Sequence, residues 1–245
     1  MSMAGSVAAM PEFTGEQFIP GKAGARIAAD HLARYRFARS FAAGRRVLDI
    51  ACGVGYGTAI LADGGATFVD GVDHAEPIIS AARSFYPRCN VKYTTGDIAT
   101  YATTEPYDLV TCFETIEHVN DHEAGLSNLK RLIRPGGVLL ISSPNRLLTS
   151  PDAKLLSDTP RNRFHVREFT PNELVLALQR SGFTVPSGGL YGQRQQRAIS
   201  GRRLRVIYGT VFMTKYLTSA AVTPLSRRMP RYVVIRAIAP RERNR

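Results

Sequence analysis

Between residues 46 and 142 the chain alternates short apolar runs with helical ones, and this alternation restricts its fold more than any other feature. Arg46–Ile50 (RVLDI), 67–72, 91–94, Tyr107–Phe113 and 138–142 read as strands. Tyr56–Ala62, Glu76–Phe85 and 121–133 read as helices between them. Pro77 falls in a first turn, where its missing N–H does no harm, and Pro135-Gly136-Gly137 stops the last of the three helices. Several strands (VLDI, VLLIS) are apolar on both faces. A strand of that kind belongs to a parallel sheet covered by helices on both sides.

The rest of the chain divides around this block. Residues 1–22 are punctuated by Gly and Pro and read as an N-terminal arm, and 24–42 as a helix stopped by Gly44. Residues 145–170 are polar and too long for a plain link, so they read as a functional loop. Thr170 and Glu173 form a capping box for a helix over 171–181, followed by a strand at 183–185. The expected organisation is an arm (1–22), a core (23–186), a basic lid or insertion (187–230), and a last core strand with a tail (231–245). A chain of 245 residues, 44% hydrophobic and 21% charged, is not wholly disordered and suits one large domain.

Cys52, Cys89 and Cys112 form no C-x-x-C pair, which points to a reducing, cytoplasmic compartment. MSMAGSVAAM lacks the basic start of a signal peptide, and no run of 18 apolar residues predicts a spanning helix.

The first strand runs into Asp49-Ile50-Ala51-Cys52-Gly53-Val54-Gly55-Tyr56-Gly57. A Gly-rich turn between a strand and its helix lets a ligand approach the backbone. A dinucleotide site wants G-x-G-x-x-G, but Thr58 stands at the third glycine. Asp49 would repel a pyrophosphate and could hold a cationic group instead; taken alone, the turn could also be purely structural. Asp73 follows Asp49 by 24 residues at the tip of the second strand, where an acid can take both ribose hydroxyls. Asp97 follows the third strand, where an acid can accept from an adenine amine.

VLDIACGVGYG, VDGVDHA, TGDIA, YDLVTCFETIEHV and LKRLIRPGGVLLISSPN together resemble the successive motifs of class I S-adenosylmethionine (SAM)-dependent methyltransferases, over roughly residues 40–185. The resemblance implies a Rossmann-like α/β sheet of seven strands, mostly parallel with the last antiparallel, flanked by helices. YVVIRAI could supply that last strand. It implies SAM as cofactor, with Gly53 and Gly55 under the methionine moiety, Asp73 on the ribose and Asp97 near adenine; Asp49 and Phe113 join them as expected cofactor residues. A looser resemblance links TGEQFIPG and HLARYRFA to bacterial methyltransferases that work on sugars and polysaccharides.

After the fourth strand, Glu114, Glu117 and His118 follow the spacing E-x-x-E-H. If they form a helical turn, all three share a face. Hard oxygens with an imidazole suit Mg²⁺ or another divalent ion, and His165 in the long loop could close the site. The arrangement looks like the metal site of small-RNA terminal 2′-O-methyltransferases and, in part, that of ubiquinone-pathway O-methyltransferases. The competing reading is metal-free, with His118 as general base or pocket lining. The expected catalytic residues are His118 and Glu117, and the expected metal ligands Glu114, Glu117, His118 and His165.

Residues 187–245 hold 13 basic side chains and one acid, Glu242, and so carry the whole +12 net charge. Arg194, Arg197, Arg202, Arg203, Arg205, Arg227, Arg228 and Arg231, with Tyr191, Tyr208 and Tyr216 among them, point to an anionic small-molecule or glycan acceptor. RNA, a membrane face at 206–226, and a merely solvated basic surface are the alternatives. The expected activity is O-methylation of a sugar or small natural-product hydroxyl. N-methylation of an amino sugar, RNA 2′-O-methylation and a non-catalytic SAM-binding protein remain open.

Overall fold

The computed structural model of the chain describes residues 10–12, 17–197, 220–225 and 228–241. The helices are α1 (Ala25–Arg39), α2 (Tyr56–Ala62), α3 (Glu76–Phe85), α4 (His122–Leu132), α5 (Arg146–Thr149) and α6 (Pro171–Arg180). The strands are β1 (Arg46–Ile50), β2 (Phe68–Asp73), β3 (Val91–Thr95), β4 (Tyr107–Phe113), β5 (Ile133–Pro144), β6 (Leu190–Gln193), β7 (Gln196–Arg197), β8 (Thr223–Pro224), β9 (Arg228–Met229) and β10 (Tyr232–Ile238). Eight strands form one sheet in the order β3-β2-β1-β4-β5-β10-β6-β8; β7 and β9 pair separately.

β1 to β5 are mutually parallel. β10 runs antiparallel between β5 and β6, with Tyr232 opposite Pro144 and Ile238 opposite Val138. This is the α/β Rossmann-like sheet the motifs imply, extended at its edge by the two residues of β8.

The two-faced strands divide their side chains between two helix layers. Leu48, Val110, Leu139, Ile141, Val233 and Ile235 pack with Leu126 and Leu129 of α4 and Leu174 and Leu178 of α6. Val47, Val69, Leu109, Leu140 and Val234 face the opposite way, onto Tyr35 and Ala38 of α1 and Leu61 of α2. Thr170 caps α6 as expected: its hydroxyl accepts from the Glu173 N–H, and the Glu173 carboxylate accepts from the Thr170 N–H.

Two elements differ from the sequence reading. The strand expected at 183–185 contributes one bridge, Thr184 to Ile238, and the sixth strand is β6 instead. Pro186 has no N–H to continue the ladder, and the chain turns there through Gly188, at φ +74°. The helix expected over 121–133 ends at Leu132, because Ile133 already pairs with Tyr107 in β5. Among the described residues, no helix is long and apolar enough to cross a membrane. The apolar segment 206–226 lies largely outside the described residues; of 187–230, expected as a lid or insertion, residues 198–219 and 226–227 lie outside them, while Leu190–Gln193 join the main sheet as β6.

Ile235 is fully buried in β10 with strands on both sides. Ile235→Ala is expected to lower unfolding stability by about 2–5 kcal/mol in urea titrations. A loss near zero would show that the last strand is not part of the core.

Candidate active site

The carboxyl ends of β1 to β5 open onto a cleft of about 1060 Å³. On one side lies the loop from β1 to α2. Its backbone enters the left-handed region at Ala51 (φ +58°), Gly53 (φ +55°) and Gly55 (φ +88°). A side chain at Gly55 would meet the Tyr93 hydroxyl at 2.7 Å, so this position needs glycine for both space and φ. Gly53 faces open space, which leaves its backbone approachable from the cleft.

The three strand-end acids differ sharply in environment. Asp73 is buried and lines the cleft; its carboxylate accepts from the N–H of Gly53 (3.0 Å) and of Ala75 (3.1 Å). Asp97 is exposed, lines the cleft and accepts from the Ala99 N–H at 2.8 Å. Asp49 is fully buried and is not among the residues lining the cleft. Hydroxyls of Tyr35 (3.0 Å), Thr58 (2.7 Å) and Thr111 (2.7 Å) donate to it. The residue standing at the third glycine of a dinucleotide motif is thus one of the donors to this acid. Burial lifts the Asp49 carboxyl to about 6, against the opposing pull of the three hydroxyls.

Phe113 lines the cleft beside this loop, edge-on to Tyr35 at 5.2 Å. Tyr56 lines it too, and its hydroxyl meets His31 Nδ1 at 3.1 Å. Phe18 stacks on His31 with centroids 4.7 Å apart. Burial, then the Arg34 charge, hold His31 well below the usual imidazole range, so it is neutral. Sequence reasoning gave Phe18 and His31 no role of their own, although both fall in the segments TGEQFIPG and HLARYRFA. Cys52 and Cys112 are buried, and burial pushes both thiols up, consistent with packing.

On the other side of the cleft, the E-x-x-E-H segment does not form one helical turn. Only Ile116–His118 is helical, as a 3₁₀ turn. Glu114 sits at φ +49°, its N–H bound to the Ser142 carbonyl and hydroxyl. Its carboxylate accepts from the Ser142 hydroxyl at 2.7 Å and lies 3.9 Å from Arg34. The shared face expected for Glu114, Glu117 and His118 is therefore absent, and Glu114 falls outside the ligand group.

Glu117, His118 and His165 do converge, with ligand atoms all within 4.8 Å of one another. The loop carrying His165 is stitched to the 3₁₀ turn: Val166 N–H and Arg167 N–H both donate to the Glu117 carbonyl. His118 Nδ1 lies 2.9 Å from the Phe164 carbonyl, an acceptor, so Nδ1 carries the proton and Nε2 the lone pair. His165 Nδ1 is 2.7 Å from the Glu168 carboxylate, and its Nε2 meets the Asn162 amide at 2.8 Å. Both Glu117 carboxylate oxygens are buried without a hydrogen-bond partner among the described residues. Burial, then the Glu114 charge, push the Glu117 carboxyl well above its usual range. Glu168 went unnoticed in the sequence. Burial opposes its charge, but hydrogen bonds from His165, Thr149 and Ser150 hold it below the usual carboxylate range.

Of the basic segment, Arg194 is buried in an ion pair with Asp30 at 2.7 Å, and Arg231 lines the cleft. Arg202, Arg203, Arg205, Arg227, Tyr208 and Tyr216 lie outside the described residues, and Arg197 and Arg228 are described only in their backbone.

Residues 23–187 match the family model described as "Methyltransferase domain". The chain is 38% identical over 174 residues to the "Probable S-adenosylmethionine-dependent methyltransferase" of Mycolicibacterium smegmatis, over 70% of this chain and 65% of that protein. It thus spans just under two thirds of that relative's length. It is 33% identical over 179 residues to the ubiquinone biosynthesis O-methyltransferase of Xanthomonas euvesicatoria pv. vesicatoria, over 68% of this chain and 74% of that one. A solved S-adenosylmethionine-dependent methyltransferase from Mesorhizobium loti shares the fold, with a TM-score of 0.60 at 18% identity over 86% of this chain and 99% of that one. Motifs, strand order and relatives agree: the chain belongs to the class I S-adenosylmethionine-dependent methyltransferase family.

Proposed function

We propose that the chain transfers the methyl group of SAM to a hydroxyl of a sugar or other small natural-product acceptor, with a divalent ion at Glu117, His118 and His165. The donor half of the reading rests on Gly53, Gly55, Asp73, Asp97 and Phe113. The open backbone at Gly53 takes the methionine moiety, Asp73 the ribose hydroxyls and Asp97 the adenine amine. Asp49 supports from beneath by clamping Thr58 at the start of α2.

One observation carries the acceptor half. Two buried carboxylate oxygens of Glu117 lack any hydrogen-bond partner among the described residues, and they lie in ligand reach of two imidazoles. A buried carboxylate left that way is costly unless something is to be bound there. Glu168 and the Phe164 carbonyl hold the two rings by their Nδ1 atoms, as behind a metal-binding histidine, and an ion on His165 Nε2 would displace the Asn162 amide from it. With Glu114 outside the group, two imidazoles and one carboxylate suit Mn²⁺, Fe²⁺ or Zn²⁺ better than Mg²⁺. When bound, such an ion supplies Lewis-acid polarisation of the acceptor hydroxyl. The acceptor hydroxyl, acidified in this way, would release its proton to water; with no ion on His118, its Nε2 would accept that proton instead. Relatives named as O-methyltransferases support oxygen over nitrogen as the acceptor atom.

The test is chelation followed by metal addition. Millimolar Mn²⁺ is expected to restore methyl transfer to the chelated protein and to raise its melting temperature by several degrees, as selective binding to the folded state requires. Glu117→Gln is expected to lose both effects. Full activity after exhaustive chelation, with no thermal shift, would contradict the metal reading.

Asp49 generates a pH prediction. Well below pH 3.8 its carboxyl is protonated whether the chain is folded or not. Between its ordinary value of 3.8 and about 6, the folded chain keeps a proton that the unfolded chain releases. Stability therefore falls as pH rises through that window, by on the order of 3 kcal/mol, and levels off above it. Asp49→Asn removes this component. Urea unfolding is expected to show the variant gaining about that much relative to wild type between pH 4 and pH 7; a constant gap would refute it.

A further inference from the structure

Arg231 is an arginine of the cleft that has no acid partner among the described residues. It immediately precedes β10, and its backbone is fixed on both sides. Its N–H donates to the Gln193 carbonyl at 3.1 Å, and its carbonyl accepts from the Asn145 N–H at 2.9 Å. The Asn145 side chain also holds the Pro230 carbonyl, at 2.8 Å. The pairing of Tyr232 with Pro144 sets Arg231 beyond the carboxyl end of β5. In the sheet order, β1, β4 and β5 separate it from β2, whose tip bears Asp73. It therefore belongs to the side of the cleft with Glu117 and His118, away from the ribose acid.

Its electrostatic setting is unlike that of its neighbours. Arg161, which also lines the cleft, pairs with Asp152. Arg34, Arg146 and Arg194 are buried against Glu114, Glu173 and Asp30. The Arg231 guanidinium instead lies 5.7 Å from the centroid of the Tyr232 ring. Its Nε is buried with no hydrogen-bond partner among the described residues; the Nε atoms of Arg34 and Arg146 share that state, but those two guanidinium groups have a carboxylate at another nitrogen. A buried guanidinium N–H without an acceptor calls for an oxygen from a ligand, and the planar fork suits a carboxylate or phosphate pair of oxygens. Seven of the residues lining the same cleft are acidic, and of its two arginines Arg161 is already paired with Asp152, so apart from any ion at Glu117 and His118 the cation left to meet an anionic ligand group is Arg231.

We propose that Arg231 selects acceptors that carry an anionic oxygen group, carboxylate or phosphate, and anchors that group on the β5–β10 side while the hydroxyl faces His118. The proposal rests on the methyltransferase reading of the cleft, and its test separates the two. The full chain is saturated with S-adenosylhomocysteine and titrated calorimetrically with glucose, glucuronate and glucose 1-phosphate. At least one charged sugar is expected to bind tenfold or more tightly than glucose, and which one does so distinguishes carboxylate from phosphate. Arg231→Met is expected to bring the charged sugars down to the glucose level, and Arg231→Lys to keep part of the preference, with S-adenosylhomocysteine affinity unchanged in both. Equal binding of charged and neutral sugars, or a preference that survives Arg231→Met, would overturn the proposal. So would a loss of S-adenosylhomocysteine affinity in Arg231→Met, which would mean that Arg231 serves the donor. Failure of the wild-type chain to bind S-adenosylhomocysteine at all would instead count against the methyltransferase reading.

Discussion

A carboxylate with no access to water ties the site together from below. Asp49 ends β1, and its two oxygens collect hydroxyls from Tyr35 of α1, Thr58 of α2 and Thr111 of β4. Four elements therefore meet at one buried acid directly beneath the glycine loop. Burial makes its charge expensive, and the three donors offset only part of that cost, which is why its carboxyl rises to about 6. The loop it supports runs through three left-handed residues, and Gly53 reaches back to Asp73 across the strand ends. In the proposed reading, the loop that meets the donor keeps its shape through that anchoring.

The two halves proposed for the cleft, a donor side and an acceptor side, are built by different means. The donor side uses backbone: strand tips, a glycine turn, and an acid held by N–H groups. The acceptor side uses side chains brought from distant segments. Strand β4 delivers Glu117 and His118, and the long loop before α6 delivers His165 with Glu168 behind it. The backbone bonds from Val166 and Arg167 to the Glu117 carbonyl join those two segments. Glu114 takes a strained left-handed backbone at the junction of the halves, held there by Ser142. Strain of that kind persists only where surrounding bonds over-determine it.

Much of the sheet was legible because its strands are apolar on both faces, a pattern that few other structures produce. β1, β4 and β10 begin and end where the pattern does. The strand at 183–185 was misplaced because Phe183 and Val185 are apolar for packing against α6 and the sheet, while Pro186 forbids the ladder. In the site, the positions of Asp73 and Asp97 at strand tips followed from spacing alone. The direction in which Asp49 points did not, since its donors come from residues 35, 58 and 111. The departure of Glu114 from the E-x-x-E-H face was equally hidden, because it depends on Ser142 in a strand 28 residues further on. Glu168 and Asn162 acquire meaning only once the loop places His165.

In the proposed function, this strand-end surface binds the methyl donor through Asp73. Calorimetric titration of S-adenosylhomocysteine into wild type and Asp73→Ala tests it most directly. One-to-one binding is expected for wild type and at least tenfold weaker binding for the variant, about 1.4 kcal/mol or more. Absence of binding to wild type, or equal affinity in the two proteins, would contradict it.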